Sequence, residues 1–263
     1  REQFPGRITI AEDMHQDPAI SQVDNGGAAF HAQWDSAFVH PVREAVIAMD
    51  DSWRSMASVR EAVTRIYNDD AFQRVIYTES HDEVANGKAR LPTEINPENP
   101  DDGYAQRRST LGAALVLTSP GIPMLFKGQE FLERGWFRDD VELDWSLLDT
   151  FKGIHRLYRD LISLRRNRAG HTRGLTGEHA EVFLRDAQNR VLGLLRRCEG
   201  GAGDDTYIVD DAGDQVIELL DDGQDTVLAA VDWTLADHLE NLTLLDSPWV
   251  AAFGAGNSLD NVL

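Results

Sequence analysis

Short apolar runs alternate with longer stretches of helical period along the first two thirds of the chain. "RITIAED" (7–13) predicts a strand rich in β-branched residues that ends in two carboxylates. A glycine-containing loop, "DNGGAAF", leads to "FHAQWD" (30–35), a second strand closing on Trp34 and Asp35. "SMASVREAVTRIYND" (55–69) sets Met56, Val59, Val63 and Ile66 three and four apart, as one face of a helix requires. "RVIYTESHD" (74–82) reads as a third strand, "YAQRRSTLGAALVLTS" (104–119) as a largely buried helix and "IPMLFKGQE" (122–130) as a fourth strand. "FKGIHRLYRDLISLRRNR" (151–168) predicts a helix with Ile154, Leu157, Leu161 and Leu164 on one side. The pattern is β-α four times over, which implies parallel strands joined by right-handed crossovers.

In such folds chemistry gathers where strands end, because loops there project functional groups from a rigid base. Glu12, Asp35, Asp82 and Glu130 all fall at predicted strand ends and are expected on one rim. Carboxylates sharing a rim suit general acid/base and electrostatic catalysis, and a His beside an Asp can hold a sugar hydroxyl. They are equally the hard oxygen ligands of a divalent cation. A single Asp or Glu in such a place is more often a solvated loop residue or a helix cap, and it is the recurrence that argues for function.

Charge sharpens this picture by dividing the chain. Residues 199–263 hold 15 Asp and Glu and no Lys or Arg, against 30 acidic and 25 basic residues in 1–198. The net charge of −20 argues against a nucleic-acid partner, since phosphate binding needs clustered cations. No apolar run approaches the roughly 20 residues of a bilayer-spanning helix, and no membrane partner is expected. The single cysteine, Cys198, excludes an intrachain disulfide and a multi-cysteine metal site. After the last helix, "AEVFLRDAQNRVLGLLRR" (180–197) alternates apolar and polar residues around "DAQN", a hairpin signal.

The motifs "TIAED", "AQWD", "FVHPVREAVI", "VIYTESHDEVANGKARLP", "RRSTLGAALVLTSPGIPMLF" and "DDVELDWSLL" together resemble the α-amylase superfamily, glycoside hydrolase family 13. Within it they are most similar to the 1,4-α-glucan branching enzymes and related α-amylases. The resemblance covers about residues 1–197 and implies the fifth to eighth βα units of a (β/α)8 barrel, with α-1,4-glucan or maltooligosaccharide as substrate. It places Glu12 on the family's general acid/base, Asp82 on the carboxylate that stabilises the oxocarbenium-like transition state, and His81 on the imidazole that hydrogen-bonds the sugar. Trp34, Asp35 and Glu79 are expected to contact substrate, with Glu83, Asn86 and Lys88 shaping a subsite wall. Trp34, Trp136 and Phe137 are aromatic residues near the rim that either stack on sugar or simply pack.

The family's nucleophile is an Asp at the end of the fourth strand, and no position of this chain matches it. The resemblance therefore predicts that strand ahead of Arg1, and predicts an incomplete catalytic set within residues 1–263. It also leads us to expect an acidic residue where His31 stands and a Gln where Lys127 stands, two departures expected to alter the rim's charge. Four βα units leave two strand edges unpaired, from which we expect a homodimer or docking on an N-terminal half-barrel. The hairpin resembles the start of the β-domain that follows the barrel in this family.

From Glu199 the text changes to "GGAGDDTYIVDDAGD", which resembles the haemolysin-type, or RTX, calcium-binding repeats. The resemblance implies a parallel β-roll with Gly201, Gly203 and Asp205 as calcium ligands, through carbonyl and carboxylate oxygens. The expected organisation is thus an α/β half-barrel over 1–170, a β-hairpin segment over 171–198 and an acidic β-rich segment over 199–263. The function expected is an α-glucan-active hydrolase or transglycosylase that needs no cofactor for catalysis, with Ca²⁺ as a candidate ion for the tail. The alternative is a calcium-binding secreted interaction module built on a non-catalytic amylase-like scaffold. The compartment stays open: the branching-enzyme part implies cytoplasm and the RTX part secretion.

Overall fold

The computed structural model describes residues 6–197, 206–209, 212–214, 216, 218, 224–245 and 252–263. The chain forms two compact units, Arg1–Arg197 and Cys198–Leu263. The first is built on a four-stranded sheet in sequence order, β1 (Ile10–Ala11), β2 (Ala32–Trp34), β3 (Arg74–Ile76) and β4 (Ile122–Pro123). Every neighbouring pair is parallel, so all four strands deliver their C-terminal ends to the same side. β1 and β4 are the two edges of this sheet.

The connections depart from four equal βα units. Between β1 and β2 the described chain has only a short 3-10 turn, Pro18–Ile20. Asp17, Pro18, Asn25, Gly26 and Gly27 crowd this segment with turn formers, and Asn25 and Gly26 both take positive φ, which a helix interior rejects. The other connections carry pairs of helices: α1 (Ser36–Ile47) and α2 (Met56–Thr64), then α3 (Leu91–Ile95) and α4 (Gly103–Thr118), with α5 (Leu147–Thr150) and α6 (Lys152–Arg165) after β4.

Side chains alternate along each strand, and that parity separates two layers. Ala32, Val75 and Tyr77 pack on one face with Trp34, Ile122 and Met124 beside them. On the other face Ile76 joins Phe38, Val42, Met56, Val59, Val63 and Val116, the core between sheet and helices. Two expected helix faces shift. α2 ends at Thr64, with Arg65 turning to extended backbone, and leaves Ile66 exposed. In α6 the inward face is Ile154, Tyr158 and Arg165 with Leu161 and Ile162, while Leu157 and Leu164 are exposed. The aromatic ring and the guanidinium, which donates to the carbonyls of Ser119 and Gly121, take places that a leucine count assigns to aliphatic residues.

The hairpin is present as β5 (Glu181–Asp186) and β6 (Val191–Leu195), antiparallel with an irregularity between Val182 and Leu184. Val182, Leu192 and Leu194 pack against the sheet–helix core. Arg196 donates to the carbonyls of Thr118, Gly177 and His179, so the hairpin is fastened into the first unit.

In the second unit β7 (Thr206–Val209), β8 (Thr226–Ala229) and β10 (Asn241–Leu244) form a three-stranded parallel sheet with β8 in the middle. β9 (Trp233–Thr234) and β11 (Gly254–Ala255) form a parallel pair. Val209, Val227, Ala229, Leu235, Leu239 and Leu242 make its core. Gly201, Gly203 and Asp205 lie outside the described residues. No helix among the described residues is long and apolar enough to cross a membrane.

Candidate active site

Glu12 follows β1 directly, and His81 and Asp82 stand in the loop after β3. One ligand atom from each of the three lies within 4.8 Å of the others. His81 Nε2 is 3.5 Å from Glu12 Oε1 and 3.6 Å from Asp82 Oδ1. All three side chains are about half exposed or more, at 53%, 48% and 61% for Glu12, His81 and Asp82. The imidazole therefore stands between two carboxylates that face solvent. Strand parity makes this possible: Ile10 pairs with Ala32 and Ala11 with Gln33, which carries Glu12 level with Trp34.

Trp34 packs edge-on against Tyr77, with ring centroids 5.3 Å apart, and against His81 at 5.9 Å. It braces the imidazole from below. Burial pushes the Tyr77 phenol well above its ordinary value, and the nearby carboxylates of Glu83, Asp35, Asp82 and Glu12 push the same way. The floor of the cluster is neutral and largely apolar, which leaves the charge to the three groups on top.

Two residues expected at the substrate surface are enclosed instead. Asp35 has no exposed surface. Its Oδ1 accepts from the Ala37 amide that starts α1 and from the Tyr67 hydroxyl, both at 3.0 Å, and its Oδ2 pairs with Arg74 at 3.2 Å. Being one residue beyond Trp34, it points to the helix face, where it is an N-cap and a buried counter-ion. Glu79 is 1% exposed, its carboxylate held by Arg90 at 3.0 Å and by the Leu91 amide at 2.8 Å. Burial pushes the Glu79 carboxyl up, and Arg90 opposes the shift. Its work is to tie the end of the 79–91 loop back to the sheet.

Other expectations sort in the same way. Glu83 is buried, accepting from Lys88 and lying 3.5 Å from Arg43 and 3.2 Å from His40. Burial pushes its carboxyl up, but Lys88, Arg43 and His40 together bring it below the usual range. With Lys88 it lines a cavity of about 290 Å³ beside α1 that holds none of Glu12, His81 or Asp82. His31 precedes β2, at the end of the sheet away from the cluster, and its Nδ1 bonds the Thr9 amide and hydroxyl. It leaves the rim's charge unaltered. Glu130 sits in the 3-10 turn Gln129–Phe131, close enough to raise the Tyr158 phenol together with burial and Glu79. That turn begins at Gly128, with φ +86°, where an added Cβ would lie 2.8 Å from Glu133 Cβ. It places Gln129 to donate to the Thr78 hydroxyl.

Beside the cluster a groove of about 480 Å³ is lined by His81, Asp82 and Asn86 and by the segment after the 3-10 turn, including Trp136, Asp139 and Asp140. Phe137 packs on Phe126 and under Lys127 Nζ, whereas Trp136 is 60% exposed. Arg138 had no sequence-level role, and Asp139 and Asp140 entered only as the start of the motif "DDVELDWSLL". The available signal was "RGWFRDD", charged residues around two aromatics after a glycine.

A four-stranded parallel sheet with helical connections fits part of a βα barrel. No family model matches the chain. Relatives do. It is 31% identical over 208 residues to the 1,4-alpha-glucan branching enzyme GlgB 1 of Xanthomonas campestris pv. campestris strain 8004, covering 76% of this chain and 28% of that enzyme. It is 32% identical over 201 residues to the GlgB 1 of Rhizobium johnstonii, covering 73% of this chain and 26% of that enzyme. The chain thus spans little more than a quarter of the length of these relatives. Pullulanase from Anoxybacillus sp. LM18-11 shares the fold at a TM-score of 0.51 and 21% identity, over 71% of this chain and 30% of the pullulanase. The same pullulanase complexed with maltotetraose gives 0.50 and 20% over the same shares. The chain is thus similar in sequence to branching enzymes over about three quarters of its own length and shares its fold with a pullulanase.

Proposed function

We propose that the first unit is part of an α-glucan-active hydrolase or transglycosylase of the α-amylase or branching-enzyme type. The observation that carries this reading is the cluster of Glu12, His81 and Asp82, exposed together at the C-terminal ends of parallel strands. Glu12 protonates the glycosidic oxygen, His81 donates a hydrogen bond to a sugar hydroxyl, and Asp82 favours positive charge at the anomeric carbon. A retaining reaction needs an attacking carboxylate besides these two roles, placed about 5–5.5 Å from the acid/base. Among the described residues no third carboxylate joins the cluster, so that group comes from another segment or another chain, docked on the free edges of β1 or β4. No cofactor enters these steps. The three groups would equally offer a cation one ligand each. Titration calorimetry with maltoheptaose in EDTA, and separately with a divalent cation in chelator-free buffer, separates the two readings: sugar binding that His81→Ala abolishes supports glucan, and cation binding without any response to glucan refutes it.

A second reading concerns the tail and is favoured by the parallel pairing of the described strands in the second unit. The RTX resemblance asks for stacked parallel turns, with Gly201, Gly203 and Asp205 supplying oxygens to Ca²⁺. With 15 carboxylates and no cations in residues 199–263, the tail repels itself at low ionic strength and gains order as calcium neutralises it. Circular dichroism during a calcium titration checks this. Binding is expected near the millimolar end of the range for extracellular modules, and a response unchanged by Asp205→Ala rules out this assignment.

A further inference from the structure

Two Asn-Gly pairs, Asn25–Gly26 and Asn86–Gly87, occupy the same kind of turn. Asn86 and Gly87 take φ of +55° and +93°, and Asn25 and Gly26 take +56° and +83°. One main-chain bond closes each turn: the Lys88 amide donates to the Ala85 carbonyl at 3.1 Å, and the Gly27 amide to the Asp24 carbonyl at 3.2 Å. Positive φ at both central positions explains the pairing, since asparagine tolerates the left-handed region and glycine is unhindered there. All four residues are exposed. A Cβ added at Gly87 would meet nothing within 4 Å, and among the described residues nothing bonds the Asn86 side chain or the Gly87 amide. Asn68 is the contrast. It too has positive φ, at +49°, but its side-chain nitrogen donates to the Pro18 carbonyl, Ser21 Oγ and Gln73 Oε1, and the residue after it, Asp69, carries a Cβ.

An unbonded side-chain amide followed by a main-chain nitrogen that no Cβ shields puts an electrophile and a nucleophile in one turn. We propose that Asn86 is a site of spontaneous covalent modification, a deamidation that places a new carboxylate beside the cluster of Glu12, His81 and Asp82. The Gly87 nitrogen bonds to Asn86 Cγ and gives up its proton, and the side-chain nitrogen leaves with that proton as ammonia. Ring closure rotates the Asn86–Gly87 peptide out of the turn, against a single main-chain hydrogen bond that adds little net stability. Water then opens the cyclic imide. Breaking the bond to Cγ leaves aspartate, and breaking the main-chain bond leaves isoaspartate, whose backbone is one methylene longer. Asn86 lines the groove with His81 and Asp82, so either product adds negative charge there. The longer backbone also disturbs the turn over 85–88 and carries Lys88 away from Glu83, which its Nζ meets at 3.1 Å.

The test incubates the full chain at mildly alkaline pH and follows its peptides by mass spectrometry, with the aspartyl and isoaspartyl forms separated. Asn86 should convert about tenfold faster than Asn68, or more, because its attacking nitrogen is unshielded. Asn25, in the matching turn, should convert alongside it. Gly87→Ala gives the nucleophile a Cβ and should slow Asn86 about tenfold while Asn25 keeps its rate. Alanine is strained at the φ of Gly87, and an unchanged slow rate at Asn68 shows that this variant stays folded. Asn86→Asp, which carries the charge of the product, should move the His81 ring signals in NMR and leave those of His31 in place. If Asn86 of the parent converts no faster than Asn68, the modification site is overturned. If the His81 signals stay fixed in Asn86→Asp, the new charge does not reach the cluster and its placement is overturned. Neither readout uses a sugar, so the outcome is independent of the glucan reading.

Discussion

Glu12→Gln should lower kcat on maltoheptaose by about 10²- to 10⁴-fold in an enzyme that unites this chain with a half-barrel bearing an attacking carboxylate. The amide keeps the size of the side chain and removes the proton that leaves with the sugar oxygen. α-Glucosyl fluoride departs as fluoride and needs no such proton, so the first step with this substrate should fall far less. Kinetics on the two substrates therefore read the role and not only the importance of Glu12. An equal loss on both would make Glu12 a positioning group. The chain of residues 1–263 by itself should turn over neither substrate measurably, since acid catalysis is a small share of a glycosidase's acceleration. Turnover by the chain alone would mean that one of its own carboxylates attacks.

Asp35→Ala should destabilise the first unit by about 3–5 kcal/mol, the cost of leaving a buried charge without its partner. Arg74 has no exposed surface, and burial already pushes its guanidinium down against the support of Asp35. Its remaining bonds run to the carbonyls of Ala62, Val63 and Pro120, which carry no compensating charge. The same substitution strips α1 of its N-cap and leaves the Tyr67 hydroxyl without its acceptor. Asp35→Asn, which keeps an oxygen for the cap and for Tyr67, should lose less. Urea unfolding of the three proteins measures the order. A parent-like midpoint for Asp35→Ala, with glucan binding lost, would return Asp35 to the substrate surface.

Asp35 also shows where the sequence was opaque. Glu12 and Asp35 both follow an apolar run, and nothing in either run states the register between them. The pairing of Ile10 with Ala32 places Glu12 on the Trp34 face, and one further residue turns Asp35 to the other side. Its position before "SAFVHPV" is an N-cap signature, so the competing reading was legible. The parallel order of the strands was also legible, because β-branched runs alternate with helical periods in chain order. The missing helix between β1 and β2 could have been read from Pro18 and the Asn25–Gly27 turn. His81 and Asp82 were accessible through the motif around them. Glu79 was not, because its enclosure depends on Arg90 folding back from beyond the loop, a contact that local pattern does not encode. Trp136 and Phe137 are adjacent and chemically alike, and only packing tells that Phe137 is covered and Trp136 is free.

NMR of the histidine imidazoles during a maltoheptaose titration shows whether a glucosyl ring sits on His81 between Glu12 and Asp82. The His81 ring signals should move saturably with sugar, while those of His31, which is bonded to Thr9 away from the rim, stay fixed. His81 signals that do not move at saturating maltoheptaose would mean that no glucosyl ring sits there.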